Sequence, residues 1–453
     1  MKAIIIGGSH AGISAANYIK QLDPAYEVLL IERTPELSFI PSTINLINQD
    51  RFSIQEIEKG SLTTVQDLEA NDISVMLQTA VTAIDFDQQT VHCHQQETDE
   101  KFSVSYDSLV LAMGSSRYRL ANFEANPYLD HLTTYKKKAE TQTAFEQLQD
   151  KDHLAIIGAG LIGLEAASSW ASTGTKKITL IEQNNRPLFR YFDHEITDVL
   201  LSQIPDSVQF FLGKSFRHAE PVGDQLQLEC FDGTSLLCDR AIFALNPKPE
   251  VELVKEQLTL DFDQSILVND AMETSVAHVY AIGDLVRIPF GPLGEKAYLP
   301  LISNARKTAF VAASQITGRH TTVLPPTQRT IGTHLFGLFL GSVGLTAEEA
   351  DYYGLPYATM TKRYTRFAKY EQPDDLLLKL KLIYNQENQQ LLGVQLISNR
   401  KDQLDILNAI PQLITDGKTL EALLFMDIYF NPELSASINF WADIAAACLE
   451  NEA

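Results

Sequence analysis

The chain has 453 residues, 45% of them apolar and 21% charged, with a formal net charge of −22. That is more chain than one hydrophobic core organises, so about two to four domains are expected, and the composition is globular rather than disordered or fibrous. The acidic balance argues against nucleic-acid binding, which needs clustered Lys and Arg. Cys93, Cys230, Cys238 and Cys448 form no CxxC pair and lie near no His at zinc-like spacing, so a metal site or disulfide framework is not expected. They read as structural thiols in a reducing compartment.

At the N-terminus, Lys2 to Ile6 is a short β-branched run, the pattern of a strand buried on both faces. It is too short for a signal-peptide apolar region, which implies a cytoplasmic protein. Gly7-Gly8-Ser9-His10-Ala11-Gly12 follows, and Ile13 to Leu22 has helical spacing. A pyrophosphate approaching the N–H groups at a helix start needs such a turn, because the dipole is positive there and a β-carbon at the tightest point would block it. Ser9 takes the place of the second glycine of the GxGxxG pattern. Glu32, closing the strand Val28 to Ile31, lies about 20 residues beyond Gly12, where an acid accepts ribose hydroxyls.

The device returns further along. Leu154 to Ile157 reads as a strand, Gly158-Ala159-Gly160-Leu161-Ile162-Gly163 matches GxGxxG fully, and Leu164 to Ser172 reads as a helix. Glu182 closes the strand Ile178 to Ile181; a carboxylate there bonds a 2′-hydroxyl and repels a 2′-phosphate, so NADH is expected over NADPH. Two complete units make a ligand-free strand-helix corner a poor account of either.

Pro325-Pro326 marks a stiff boundary. The apolar stretch Leu335 to Leu345 is about half the length of a membrane-spanning helix and is interrupted by Gly337, Gly341 and Gly344, so it reads as a buried strand pair and membrane insertion is not expected. Thr346-Ala347-Glu348-Glu349 has capping-box spacing for a short helix. Leu376 to Tyr384 and Leu391 to Ile397 read as a hairpin around Asn385 to Asn388, followed by helical patterns at Leu404 to Thr415 and Leu420 to Phe425.

The two units resemble the pyridine nucleotide-disulfide oxidoreductase family, within it the branch of NADH oxidases, NADH peroxidases and coenzyme A-disulfide reductases. Ala112-Met113-Gly114 is similar to that family's Ala-Thr-Gly turn, and Val279 to Asp284 to its second FAD motif. Ser38-Phe39-Ile40, Arg186-Pro187-Leu188, Tyr191 and Tyr298-Leu299-Pro300-Leu301 also fall where that branch has like residues. The resemblance covers nearly the whole chain. It implies an α/β fold of two Rossmann-like nucleotide-binding domains plus an α+β C-terminal dimerisation domain. The FAD domain is expected at 1–115 and 245–325, the NADH domain at 116–244 and the dimerisation domain at 326–453. It also implies a homodimer, with the segment Asp427 to Pro432, including Tyr429 and Phe430, near the partner's flavin.

Carried over position by position, FAD would be held by Gly7, Gly8, Ser9, His10, Ala11, Gly12, Glu32, Arg33, Ser42, Ala112, Met113, Gly114, Asp284, Leu299 and Pro300. NADH would be held by Gly158, Gly160, Leu161, Ile162, Gly163, Glu182, Tyr191 and Asn246. Three departures stand out. Ser42 occupies the place of the branch's redox-active Cys, Leu161 that of a Tyr shielding the flavin, and Asn246 that of a Gly. A hydroxyl cannot climb the sulfur oxidation ladder, so the flavin would be the sole redox centre and the expected product of reducing dioxygen is hydrogen peroxide.

His10 and Ser42 are the candidate catalytic residues. His10 either tunes the flavin and supplies a proton or is a satisfied core histidine; Ser42 is either catalytic or a structural hydroxyl. Glu165 would order a lysine near the flavin, and Cys448, read as near a mobile chain end, is the reserve thiol. Competing readings are an NADH dehydrogenase passing electrons to a quinone, flavin or protein, and a non-catalytic FAD- and NADH-binding sensor.

Overall fold

The computed structural model describes residues 1–40, 42–116, 132–133, 138–245, 247–319, 322–368 and 370–451. Its first unit opens with β1 (Lys2–Ile6), α1 (His10–Leu22) and β2 (Glu27–Ile31), then α2 (Thr43–Asn48), α3 (Val65–Glu69) and β3 (Ile73–Met76). A three-stranded antiparallel sheet, β4 (Thr79–Asp85), β5 (Thr90–Gln95) and β6 (Glu100–Ser105), precedes β7 (Ser108–Leu111) and the two-residue β8 (Ser115–Ser116). Strand β1 is central because Ala3, Ile4 and Ile5 offer water nothing; each is fully buried. Burying one such Ile side chain stabilises the fold by roughly 1.5–3 kcal/mol.

The second unit holds β9 (Leu132–Thr133), α4 (Lys138–Leu148), β10 (His153–Ile157), α5 (Leu161–Ala171), β11 (Lys177–Ile181), α6 (His194–Leu201) and β12 (Val208–Phe211). An antiparallel trio, β13 (Phe216–Val222), β14 (Gln225–Cys230) and β15 (Ser235–Cys238), leads to β16 (Arg240–Phe243). The chain then returns to the first unit through β17 (Lys248–Pro249), which pairs with β8, and β18 (Val279–Ala281), which joins β7. A small ribbon, β19 (Ile288–Phe290) and β20 (Glu295–Ala297), is followed by α7 (Ile302–Thr317), packed along α1. The two parallel sheets share one topology over four strands, β3-β2-β1-β7 in the first and β12-β11-β10-β16 in the second; the fifth strand comes last in the chain order of the first sheet (β18) and first in that of the second (β9). In each, the central strand, β1 or β10, points its C-terminal end at a glycine turn.

The C-terminal part is a five-stranded antiparallel sheet, β21 (Ile331–Leu335), β22 (Leu338–Gly344), β23 (Tyr357–Tyr364), β24 (Leu378–Asn385) and β25 (Leu391–Ser398), with α8 (Ala347–Tyr352), α9 (Ile410–Thr415), α10 (Leu420–Leu424) and α11 (Phe440–Asn451). The α/β fold with an α+β C-terminal part is therefore the expected one. The capping box is present, Thr346 accepting from Glu349 N while Glu349 reaches back to Thr346 N. The Leu335 to Leu345 run is a strand pair, but its first strand begins earlier, and Phe336 and Gly337 form the hairpin tip with φ of 49° and 82°.

The helix expected over Leu404 to Thr415 is instead a 3₁₀ stretch, Lys401–Asn408, followed by α9. Pro411 explains the break, since its ring and missing N–H are tolerated only at a helix start. Helix α11 was not foreseen, and it carries Cys448 into the C-terminal core with no exposure. The idea of Cys448 as a thiol near a mobile end is thereby overturned. Leu335, Leu338, Leu340 and Ile397 share a core with Leu154 and Trp170, so the C-terminal sheet is built onto the second nucleotide unit.

Candidate active site

The first glycine turn is shaped by close backbone approaches. Gly7 has φ 115°, and a β-carbon there would come within 2.3 Å of the Ala112 carbonyl oxygen; one on Gly12 would lie 1.9 Å from that of Gly7. These contacts seat the first turn of α1 directly over β1 and β7. Ser9 is the N-cap residue with φ −104°, a conformation any residue adopts, and its side chain is exposed. The hydroxymethyl group at the glycine's place is thus free of strain.

Glu32 closes this turn: one oxygen accepts Gly8 N at 2.7 Å, and the other accepts Thr34 N at 2.9 Å and the Thr34 hydroxyl at 2.8 Å. Arg33 is exposed beside it, Ala112 is buried, and Met113 and Gly114 are half-buried. A β-carbon on Gly114 would meet nothing within 4 Å.

Asp284 sits in a 3₁₀ turn against the same helix start, where a β-carbon on Gly283 would lie 2.9 Å from that of Ala11. Thr308 of α7 accepts Gly283 N at 3.0 Å, Ser115 donates to the Asp284 carboxylate at 2.7 Å, and the Tyr298 hydroxyl donates to its carbonyl at 3.0 Å. Ser115 and Thr308 carried no sequence signal; they are recruited from β8 and α7. Leu299 and Pro300 follow Tyr298, half-buried.

His10 projects from the start of α1, and both its ring nitrogens are enclosed with no hydrogen-bond partner among the described residues. Burial and the Arg306 guanidinium hold it below its usual value, with Asp284 opposing. No described residue satisfies the ring, as the reading of a core histidine satisfied by protein groups would require. Two orphaned nitrogens beside a glycine turn and near Asp284 are consistent with a polar ligand that supplies the missing partners.

Ser42 is exposed at the N-cap of α2 and makes no capping bond. Its segment is tied to the turn through Ser38 N, which donates to Gly8 O at 2.8 Å. Helix α2 is tied to α5 by Asn48 donating to the Ser169 hydroxyl at 2.8 Å. Ser42 thus lies on a segment tied at one end to the first glycine turn and at the other to α5 of the second unit.

The second turn repeats the first. Gly158 has φ 104° and would place a β-carbon 2.7 Å from Ala244 O, while one on Gly163 would be 1.9 Å from Gly158 O. At Gly160 the same atom would meet nothing within 4 Å, leaving the backbone open to a ligand. Glu182, only 8% exposed, accepts Ala159 N at 2.9 Å on one oxygen, and Asn184 N at 2.8 Å and the Asn184 amide at 2.7 Å on the other. A polar residue two places after each acid, Thr34 and Asn184, was a signal the sequence offered and the glycine pattern overlooks.

Leu161 is half-buried and Ile162 is 55% exposed at the rim. Tyr191 is half-buried, with the Arg329 guanidinium 5.8 Å from its ring centre, and its segment is anchored by Leu188 N donating to Ala159 O at 2.9 Å. Asn246 lies outside the described residues. The lysine expected beside Glu165 is replaced by Thr333, whose hydroxyl donates to Glu165 at 2.7 Å; burial raises this carboxyl above its usual range.

All four cysteines are buried. Burial pushes the Cys93 thiol up to about 11, and burial together with Asp239 pushes Cys238 up to about 12. Among the described residues no cluster of His, Cys, Asp or Glu could hold a metal ion, and no helix is long and apolar enough to cross a membrane.

An NADH oxidase of Enterococcus faecalis is 28% identical over 464 residues, covering 100% of both chains. A CoA-dependent NAD(P)H sulfur oxidoreductase of Pyrococcus furiosus is 28% identical over 435 residues, 95% of each chain. The water-forming NADH oxidase of Lactobacillus brevis, solved with NADH, superposes with a TM-score of 0.92 at 25% identity, covering 100% of this chain and 99% of that one. Residues 1–309 match the pyridine nucleotide-disulphide oxidoreductase family and residues 330–440 its dimerisation domain. Two acid-closed glycine turns, an Asp284 motif and these matches together place the chain in the pyridine nucleotide-disulphide oxidoreductase family, whose members use FAD and a pyridine nucleotide.

Proposed function

We propose that this chain is an FAD-dependent NADH oxidase that reduces dioxygen to hydrogen peroxide. The observation that carries the reading is the pairing of two acid-closed glycine turns with thiols that are all buried; the resemblance adds Ser42 at the position where the branch keeps its reactive sulfur. The FAD domain would comprise 1–115 and 245–325, the NADH domain 116–244 and the dimerisation domain 326–453.

When bound, FAD would take a hydride from NADH and pass two electrons to dioxygen. The chain's own residues orient and tune. The N–H groups at the starts of α1 and α5 would receive the two pyrophosphates, and Glu32 and Glu182 the adenosine riboses while keeping the turns closed. Asp284, held by Ser115, would take the ribityl and phosphate region. His10, uncharged near neutral pH, would exchange a proton at a ring nitrogen as the flavin changes charge. The exposed Phe425, Tyr429, Phe430 and Leu434 support a homodimer built on the C-terminal part, and a cytoplasmic location suits the buried, unoxidised thiols.

Anaerobic titration of the yellow holoenzyme with NADH, followed by admission of air, tests the reading. Bleaching and a yield of about one peroxide per NADH are expected for two-electron transfer. Water in place of peroxide would sink the product assignment. Slow reoxidation by air with fast reduction of quinones or dyes would favour the dehydrogenase, and failure to bleach would leave a sensor.

A further inference from the structure

Lys381 of β24 and Gln395 of β25 stand opposite each other in the C-terminal sheet, and both side chains reach out of it to one residue of the second nucleotide unit, Asp193. Lys381 and Asp193 are each 2% exposed and lie 3.0 Å apart. Gln395 accepts Asp193 N at 2.8 Å and donates to its carboxylate at 2.9 Å. Asp193 is the N-cap residue of α6 but caps nothing there; its oxygens instead accept Ala347 N, the first residue of α8, at 3.1 and 3.0 Å. Lys381 also donates to Glu195 at 2.7 Å, and Lys379 to the Glu195 carbonyl at 2.8 Å.

A buried ion pair is a poor way to gain stability, because desolvation offsets most of the attraction and an apolar replacement is often as stable. What such a pair does well is fix geometry. The segment it fixes is short and tethered at its other end. Leu188 N is bound to Ala159 O in the NADH turn, Phe192 is fully buried, and Arg186 pairs with Glu348 of α8 at 2.9 Å. Tyr191 is therefore suspended between the nucleotide turn and the C-terminal sheet, two residues from Asp193.

We propose that Lys381 is a positioning residue for NADH: by clamping Asp193 it sets where Tyr191 meets the nucleotide. This rests on the reading of Tyr191 as an NADH contact. The pyridine nucleotide site would then be incomplete without a strand from the third part of the chain, some 190 residues further on.

The test is stopped-flow reduction of the holoenzyme flavin across a range of NADH concentrations, for Lys381→Met, Asp193→Asn and Tyr191→Ala. Losing a contact of ordinary hydrogen-bond strength loosens binding by ~10-fold. The apparent Kd for NADH is thus expected to rise by that factor in Lys381→Met, with the limiting reduction rate within about twofold and FAD content unchanged. Asp193→Asn keeps its place in the hydrogen-bond network while losing the charge, and serves should Lys381→Met not fold; a smaller rise in Kd is expected. Kd values within about twofold of wild type in both, with Tyr191→Ala impaired, would overturn the clamp and leave the site reading standing. If Tyr191→Ala is itself unimpaired, the site reading fails, and the clamp with it.

Discussion

The carboxylate of Glu182 accepts the backbone N–H of Ala159 at 2.9 Å, so the acid that would bind the ribose also fastens the glycine turn. Glu182→Ala is expected to leave Ala159 N and the Asn184 donors without acceptors, costing about 1–3 kcal/mol of stability. It should also weaken NADH binding and erode discrimination against NADPH, since the 2′-phosphate no longer meets a negative charge. Thermal melts and titrations with both nucleotides read the two effects. A variant with unchanged melting and unchanged preference would contradict the dual role.

His10 gives a pH signature. Its protonation is disfavoured on folding by burial and Arg306, so the folded state binds fewer protons than the unfolded one. Stability then rises with pH, and the His10 contribution is lost as pH falls below the unfolded value of about 6.5. Denaturant midpoints of the holoenzyme at about pH 7.5 and about pH 5.5 should fall more steeply for wild type than for His10→Gln. Equal falls in the two proteins would show that the imidazole titrates as it does in water.

Ser42 is exposed whereas the native thiols are enclosed. Ser42→Cys should therefore supply a sulfur that reduces peroxide to water and becomes a sulfenic acid, which a second NADH would return to the thiol. The peroxide yield then falls from about one per NADH toward zero, and about two NADH are consumed per dioxygen. Cys448→Ser should leave the yield unchanged, because Cys448 is fully buried on α11. A change in yield with Cys448→Ser would reopen the question of a second redox centre.

The apolar surface around Phe430, itself 72% exposed, should be covered by a second copy of the chain. Phe430→Glu is expected to convert a dimer to monomers in sedimentation velocity. A wild-type protein that sediments as a monomer at micromolar concentration would remove the premise.

What the sequence made legible was local. The glycine turns, the acids that close them, the Thr346 capping box and the hairpin around Asn385 to Asn388 each depend on residues within about 20 positions of one another. The Leu404 to Thr415 pattern misled because its apolar spacing suits a helix while Pro411 prevents a continuous one. Helix α11 went unseen because Ala445, Ala446 and Ala447 give little contrast between its faces. Contacts between distant segments were hidden altogether. Ser115 with Asp284, Thr333 with Glu165, and Lys381 with Asp193 have no periodicity to betray them, and only the folded chain brings each pair together.

The exposed side chain of Ser9, in the place that Gly160 fills in the second turn, bears on how relatives are found. Steric exclusion acts at the outer positions, Gly7 and Gly12, while the middle one tolerates a substituent. A search template demanding three glycines would pass over this chain's flavin end. One that holds the outer two and asks for an acid at the end of the next strand would retrieve it, along with any cousins that drifted the same way.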